Sequence, residues 1–336
     1  MKRAIALPFA VLLLLSCRQG EPLTRTDFAL GTVCSVRIFD HKDEKILDEA
    51  FSLLSSIEAT FSPSIEGSDI WKVNHGGGRP TTVSPETAVV LSRALDYART
   101  SGGAFDPAIG ALVNVWAIGT DRAHIPSPEE IDHALATIDY RAVSLNGDAV
   151  VVGNPETRLD LGAIVKGYAS DELASLFTAR GVRSAIVDLG GNIFAVGSRP
   201  DGTPWRIGIQ DPEGPKGSYV GILRVRNKAV VTSGVYERFF MQDGVRYHHL
   251  LDPSTGYPAR TGLLSVTVVH PKGIDADALS TTLFVLGMER GHAYLREQHP
   301  EAEALFIGED HTIWMTPGLE GAFTLTAETY SLERLP

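Results

Sequence analysis

The chain has 336 residues, 43% of them hydrophobic, enough for a sizeable core and far from the composition of a disordered chain. Its formal charge of −11 excludes a protein that binds nucleic acid by neutralising phosphates. Cys17 and Cys34 are the only cysteines, so no disulfide framework organises it.

Lys2 and Arg3 precede an apolar run from Ala4 to Leu15 that is interrupted by Pro8 and ends at Leu15-Ser16-Cys17. That is the layout of a signal peptide over residues 1–16, and the run is shorter than the roughly 20 residues that span a bilayer. Leu14-Leu15-Ser16-Cys17 resembles the bacterial lipobox, in which cleavage before the cysteine exposes a thiol for lipidation. Cys17 is therefore expected to be lipidated, with residues 17–26 as a tether and residues 27–336 as the working domain. Loss of Lys2 and Arg3 takes the charge from −11 to −13. Lipid on Cys17 would leave Cys34 without an intrachain partner. The expected location is the cell envelope, on the periplasmic face of a membrane, the inner membrane being favoured.

Thr32 to Phe39 alternates and is rich in Val and Ile, which predicts a strand. Ile46, Ala50, Leu53, Leu54, Ile57 and Phe61 recur at helical spacing. Ser62 to Pro80 holds four glycines and two prolines and reads as an irregular loop. Ser84-Pro85 and Ser127-Pro128 look like N-caps with proline at the first helical position, and Glu130 completes a capping box with Ser127. Asn146-Gly147 between two Val-rich runs predicts a hairpin. A helix over about 164–180 ends at Gly181, a left-handed cap position. Strands follow near 184–188, 193–197, 205–209, 219–232 and 263–270, then a helix over about 276–286 and a strand-rich tail. Mixed strands and helices without strict alternation predict an α+β fold of mixed, largely antiparallel sheets with packed helices, in two intimately associated lobes.

Gly190-Gly191-Asn192 lacks the spacing of a dinucleotide fingerprint and precedes a strand, so a Rossmann site is rejected in favour of a tight turn. Asp160 to Gly167 runs from a predicted strand into a helix, whose N-terminal N–H groups with Lys166 suit a phosphate. Asp277 and Thr281 lie four apart near a helix start, so their oxygens share a face and suit a hard cation such as Mg²⁺. His248 and His249 point to opposite faces of a strand, so one of them at most enters a given site. Neither the helical spacing of a zinc histidine pair nor paired cysteines occur, which argues against catalytic zinc.

Taken in order, seven blocks resemble the family of FAD:protein FMN transferases, the ApbE-type flavinyltransferases. They are Leu30-Gly31-Thr32, Gly103 to Pro107, Asp160 to Gly167, Asp188 to Asn192, Thr232 to Arg238, His249 to Pro258 and Ala276 to Thr281. The resemblance implies an enzyme that cleaves FAD and attaches FMN by a phosphodiester bond to a threonine of an acceptor protein, such as a subunit of a membrane redox complex, releasing AMP. It places FAD, the substrate, near Leu30, Ala104, Phe105, Asp106, Asp160, Lys166 and Leu251. It gives Mg²⁺ the side chains of Asp277 and Thr281 and the carbonyl of Ala163. His249 is the candidate general base, with Asp277 as runner-up. Family transferases commonly carry a tyrosine two residues after the equivalent of Ser62, where Ser64 stands here. A lost stacking face over the nucleotide bears on the balance between transfer and hydrolysis. The alternatives are an FAD pyrophosphatase in the same site and a non-catalytic FAD-binding lipoprotein.

Overall fold

The computed structural model describes residues 21–336. The expected signal peptide, the lipidated Cys17 and the start of the tether lie outside the described residues. Strand β1 (Leu23–Ala29) takes in residues 23–26, which had been assigned to the tether. It forms a hairpin with β2 (Thr32–Ile38). Helix α1 (Lys45–Phe61) buries Ala50, Leu54, Ile57 and Phe61 along one stripe.

The segment read as a loop contains a short helix, α2 (Asp69–His75), started by Ser68, whose hydroxyl accepts from the Trp71 N–H at 2.9 Å. Its glycines hid that cap. After β3 (Thr81–Thr82), helix α3 (Pro85–Thr100) begins at Ser84. Helix α4 (Gly110–Trp116), too short for a periodic signal, precedes α5 (Pro128–Leu135), which has the expected capping box. Strands β4 (Val143–Asn146) and β5 (Ala149–Val152) pair as a hairpin, with Asn146 opposite Ala149, so the turn is Gly147-Asp148, one residue later than expected.

No strand leads into α6 (Val165–Ala179) among the described residues; residues before it form turns. Strands β6 (Ser184–Leu189), β7 (Asn192–Gly197) and β8 (Trp205–Gln210) follow. The run expected as one strand divides into β9 (Tyr219–Val225) and β10 (Lys228–Gly234). The break falls at Asn227, at φ 45°, a conformation asparagine tolerates in turns. A hairpin, β11 (Phe239–Gln242) with β12 (Val245–His248), leads to β13 (Leu263–His270).

Helix α7 (Gly273–Gln298) is longer than the expected 276–286, with Gly287 at φ 77° breaking it. Strands β14 (Glu303–Gly308), β15 (Thr312–Met315), β16 (Phe323–Leu325) and β17 (Ser331–Arg334) form the tail.

Nine strands make one sheet in the order β1-β2-β6-β7-β10-β13-β14-β15-β17, antiparallel except for β15 with β17. One face packs on α1, α3, α6 and α7 through Val36, Val187, Val266, Phe177 and Phe284. The other packs through Ile186, Val230 and Leu305 on the small sheet β16-β9-β8. The fold is α+β as expected.

Helices α6 and α7 cross at glycine. A methyl on Gly167 would collide with the Gly273 carbonyl and lie 2.7 Å from Asp277 Cβ. The close approach lets each helix cap the other. Asp277 Oδ2 accepts from Gly167 N–H at 2.9 Å, and Asp171 accepts from Gly273 and Ile274 N–H at 2.5 and 2.9 Å, filling donors that neither helix satisfies by a local cap. Gly167→Ala should lower the unfolding free energy by about 3 kcal/mol in urea denaturation. Ser175→Ala, at an exposed position of the same helix, should change it little.

Candidate functional site

Two hairpin turns meet at one end of the large sheet. The β1–β2 turn is Leu30-Gly31, at φ 52° and 68°, and the β6–β7 turn is Gly190-Gly191, at φ 65° and 95°. Positive φ at both central residues is the type I′ geometry. Gly190 is required by contact as well, since a methyl there would overlap the Thr32 side chain. Leu30 has no such freedom and holds a left-handed conformation against its preference. The Gly31 N–H donates to Glu58 of α1 at 3.2 Å, and Arg238 donates to the Gly31 carbonyl at 3.4 Å.

Just inside these turns, Asn192 Nδ2 donates to Asp277 Oδ1 at 2.8 Å, and Lys166 Nζ lies 3.6 Å from the same oxygen. With Gly167 N–H on Oδ2, the carboxylate is fixed by two hydrogen-bond donors and one ammonium group from two other elements. The Ser233 hydroxyl at the end of β10 lies 2.8 Å from Ser280 Oγ and 3.2 Å from Thr281 Oγ1. The Gly167 N–H would reach the Ala163 carbonyl in a regular helix. Because it turns to Asp277, and Ile164 breaks the helix at φ −143°, no backbone N–H among the described residues takes the Ala163 carbonyl.

Arg238 and Lys166 set the local electrostatics. Asp160 accepts from Gly162 N–H at 2.7 Å. Burial nonetheless raises its pKa, against the pull of that bond and the two cations. His249 is pushed down to about 3, first by burial and then by Arg238 and Lys166. Its Nδ1 lies 3.2 Å from the Arg238 carbonyl. A carbonyl only accepts, so Nδ1 carries the proton and Nε2 keeps a free lone pair. His248 faces the other way, buried edge-on against Phe284 with ring centroids 5.6 Å apart, and burial takes it down to about 4.

The ApbE family model matches residues 30–306. The chain belongs to the ApbE family. It is 41% identical over 332 residues to the FAD:protein FMN transferase of Treponema pallidum, covering 93% of this chain and 91% of that protein. The fold matches the ApbE protein of Thermotoga maritima with a TM-score of 0.83 at 33% identity, over 90% of this chain and 99% of that one. It also matches the flavin transferase ApbE from Vibrio cholerae with a TM-score of 0.81 at 28% identity, over 90% and 99% of the two chains.

In this ApbE chain the structure gathers Lys166, Asp277 and Thr281, and it sets Leu30 at the adjoining turn. Other expected ligand contacts point elsewhere. Phe105 is in the core beside Tyr97, and both Asp106 oxygens are held by the N–H groups of Ala108 and Tyr140. Leu251 packs with Leu112, Trp116 and Ile131 in a separate small cluster. Ser64 is exposed in the loop after α1. Glu58 on Gly31 and Phe61 against Tyr168, with centroids 5.6 Å apart, place the end of α1 beside the turns and the start of α6.

Asn192, Ser233 and Arg238 stand in the motif blocks, and the structure adds them to the surroundings of Asp277, Thr281 and His249. Their signal was the block itself; nothing in their spacing tied them to Asp277.

Among the described residues no group of three or more His, Cys, Asp or Glu side chains forms a metal cage. Asp277, Thr281 and the spare Ala163 carbonyl instead offer one carboxylate, one hydroxyl and one carbonyl. All are hard oxygen donors, a set that suits Mg²⁺ completed by water and substrate phosphate.

Folded His248 binds its proton only near pH 4, whereas the unfolded chain does so near the ordinary imidazole value. Its contribution to stability is therefore complete above about pH 6.5 and is lost as pH falls. Between pH 7 and 5 it should remove about 2 kcal/mol of unfolding free energy. Urea titrations at both pH values should show that loss reduced by the same amount in His248→Leu.

Proposed function

We propose that this chain is an FAD:protein FMN transferase that uses the cleft around Asp277. The observation that carries the reading is the Asp277 carboxylate, held by Gly167, Asn192 and Lys166 beside the unspent Ala163 carbonyl. A lysine beside a fixed carboxylate, with an unpaired carbonyl just before the helix start, supports a site for a metal-bound pyrophosphate. The activity named for its relatives supports it.

In the proposed reaction a threonine hydroxyl of the acceptor attacks the FMN-side phosphorus. The new O–P bond forms, the bond to the AMP-side bridging oxygen breaks, and AMP leaves. Mg²⁺ held by Asp277, Thr281 and the Ala163 carbonyl would neutralise phosphate charge. Lys166 adds a fixed positive charge at the same place. His249 is the base we assign to the hydroxyl proton. Its neutral ring and free Nε2 let it act without first losing a proton. Arg238 steadies that ring through its carbonyl while tying down the Leu30-Gly31 turn.

Asp277→Ala should cut FAD cleavage at least about a hundredfold, and EDTA should do the same to the wild-type chain. Both are read by chromatography of AMP. Full activity of Asp277→Ala in EDTA would remove the metal from the reading.

The exposed Ser64 favours some hydrolysis beside transfer. An aromatic ring there would cover the nucleotide, contributing about 1 kcal/mol and shifting a product ratio several-fold. Ser64→Tyr should therefore raise flavinylated acceptor over free FMN at equal FAD consumption. An unchanged ratio would separate Ser64 from the partition.

A further inference from the structure

The sheet has two chemically different ends. The turns that build the site are at one, and the opposite end is basic. There Phe39 N–H meets the Ser184 carbonyl, Arg183 N–H meets Asp40, and Asn227 N–H meets the Gly197 carbonyl. The end of β2, the start of β6, the end of β7 and the β9–β10 turn are thus drawn together. Arg37, Arg199 and Arg206 line one cleft of about 330 Å³ floored by Ile186, Ile193 and Ile207, with Asp188 as its one carboxylate, on the side toward the Gly190-Gly191 turn. Arg226 joins them by donating to the Gly202 carbonyl. Among the described residues Arg37, Arg206 and Arg226 have no carboxylate partner, whereas Arg183 and Arg199 are offset by Asp40 and Asp201. The three unpaired arginines are exposed. So dense a positive surface stands out on a chain whose net charge is −11.

The described chain also enters at this end. Leu23 pairs with Ile38 and Thr24 with Arg37, so whatever precedes β1 arrives beside Arg37. We propose that this basic end rests on an anionic phospholipid surface, with the headgroup phosphates taken by Arg37, Arg206 and Arg226. The inference deepens the reading of an envelope protein tethered through residues near Cys17. A single lipid chain anchors weakly, and a cationic patch supplies the second attachment that makes it stable. The geometry holds the site away from the lipid. Seven residues of β2 separate the two ends by about 20 Å, leaving the cleft open to a partner approaching from the aqueous side.

The test uses the chain from residue 18, which keeps every strand and both cores but carries no lipid. It is sedimented with vesicles of phosphatidylglycerol and phosphatidylethanolamine, and separately with phosphatidylcholine alone. Binding to the anionic vesicles only, weakened by salt, is the expected result. Removing three cations in Arg37→Ser/Arg206→Ser/Arg226→Ser should weaken it about a hundredfold with FAD cleavage in solution unchanged. Equal binding to both vesicle types, no binding, or undiminished binding by the triple variant would overturn the proposal. So would a raised KM for acceptor protein in the triple variant without vesicle binding, which would assign the patch to a protein partner. The mass of the mature N-terminus reports lipidation separately, so failure of one reading is not failure of the other.

Discussion

Where α6 meets α7 the backbones touch, and the arrangement around Asp277 depends on that contact. Gly167 and Gly273 remove the side chains that would hold the helices apart. The approach then turns two unsatisfied helix starts into one shared structure, with Asp171 serving α7 and Asp277 serving α6. Asp277 is thus both a cap and the centre of the cleft. The Gly167 N–H it takes is the one that would otherwise have occupied the Ala163 carbonyl. One hydrogen-bond exchange orients the carboxylate, frees the carbonyl and places Lys166 at the mouth. Burial of Asp171 pushes its pKa up to about 6, a sign of how dry this junction is.

The electrostatic design follows from that dryness. On an acidic chain the positive charge that a diphosphate would need is local, with Lys166 and Arg238 around His249 and Asp160. Burial keeps the imidazole neutral, reinforced by the same two cations that would attract phosphate, and those cations draw against the rise in Asp160. Charge here acts through short distances in a poorly solvated pocket rather than through the net field of the protein, which has the opposite sign.

Much of this was legible in the sequence because it is written in local chemistry. Ser127 with Glu130, Ser84 with Pro85, and Gly181 after a helical run each announce a helix end by the donors they satisfy. The two-residue turn at Gly190-Gly191 is likewise a statement about φ. Less local facts were hidden. Asn227 splits a long β run only because a left-handed residue is needed there, and α2 is disguised by the glycines that flank it, Gly67 and Gly76 to Gly78. β1 is so polar and exposed that it reads as a tether. In the site, the residues of the motif blocks could be named, but their partners could not. That Asn192 and Gly167 N–H hold Asp277, that Phe105 and Leu251 turn into cores, or that Asp106 is taken by the Ala108 and Tyr140 N–H groups, depends on contacts between segments that share no periodicity.

Those contacts also have a history in time. Asn192 and Gly167 reach Asp277 across 85 and 110 residues of chain, and the central strands β7, β10 and β13 are neighbours in the sheet without being neighbours in sequence. Topologies of this kind close late, since long loops must be ordered before any contact rewards them. While the chain emerges from its N-terminus, α6 has neither its cap nor the glycine it packs against until α7 arrives. On a partly made chain Lys166, Asn192 and Asp277 are therefore not yet brought together. The proposed site and the completed fold come into being in the same step.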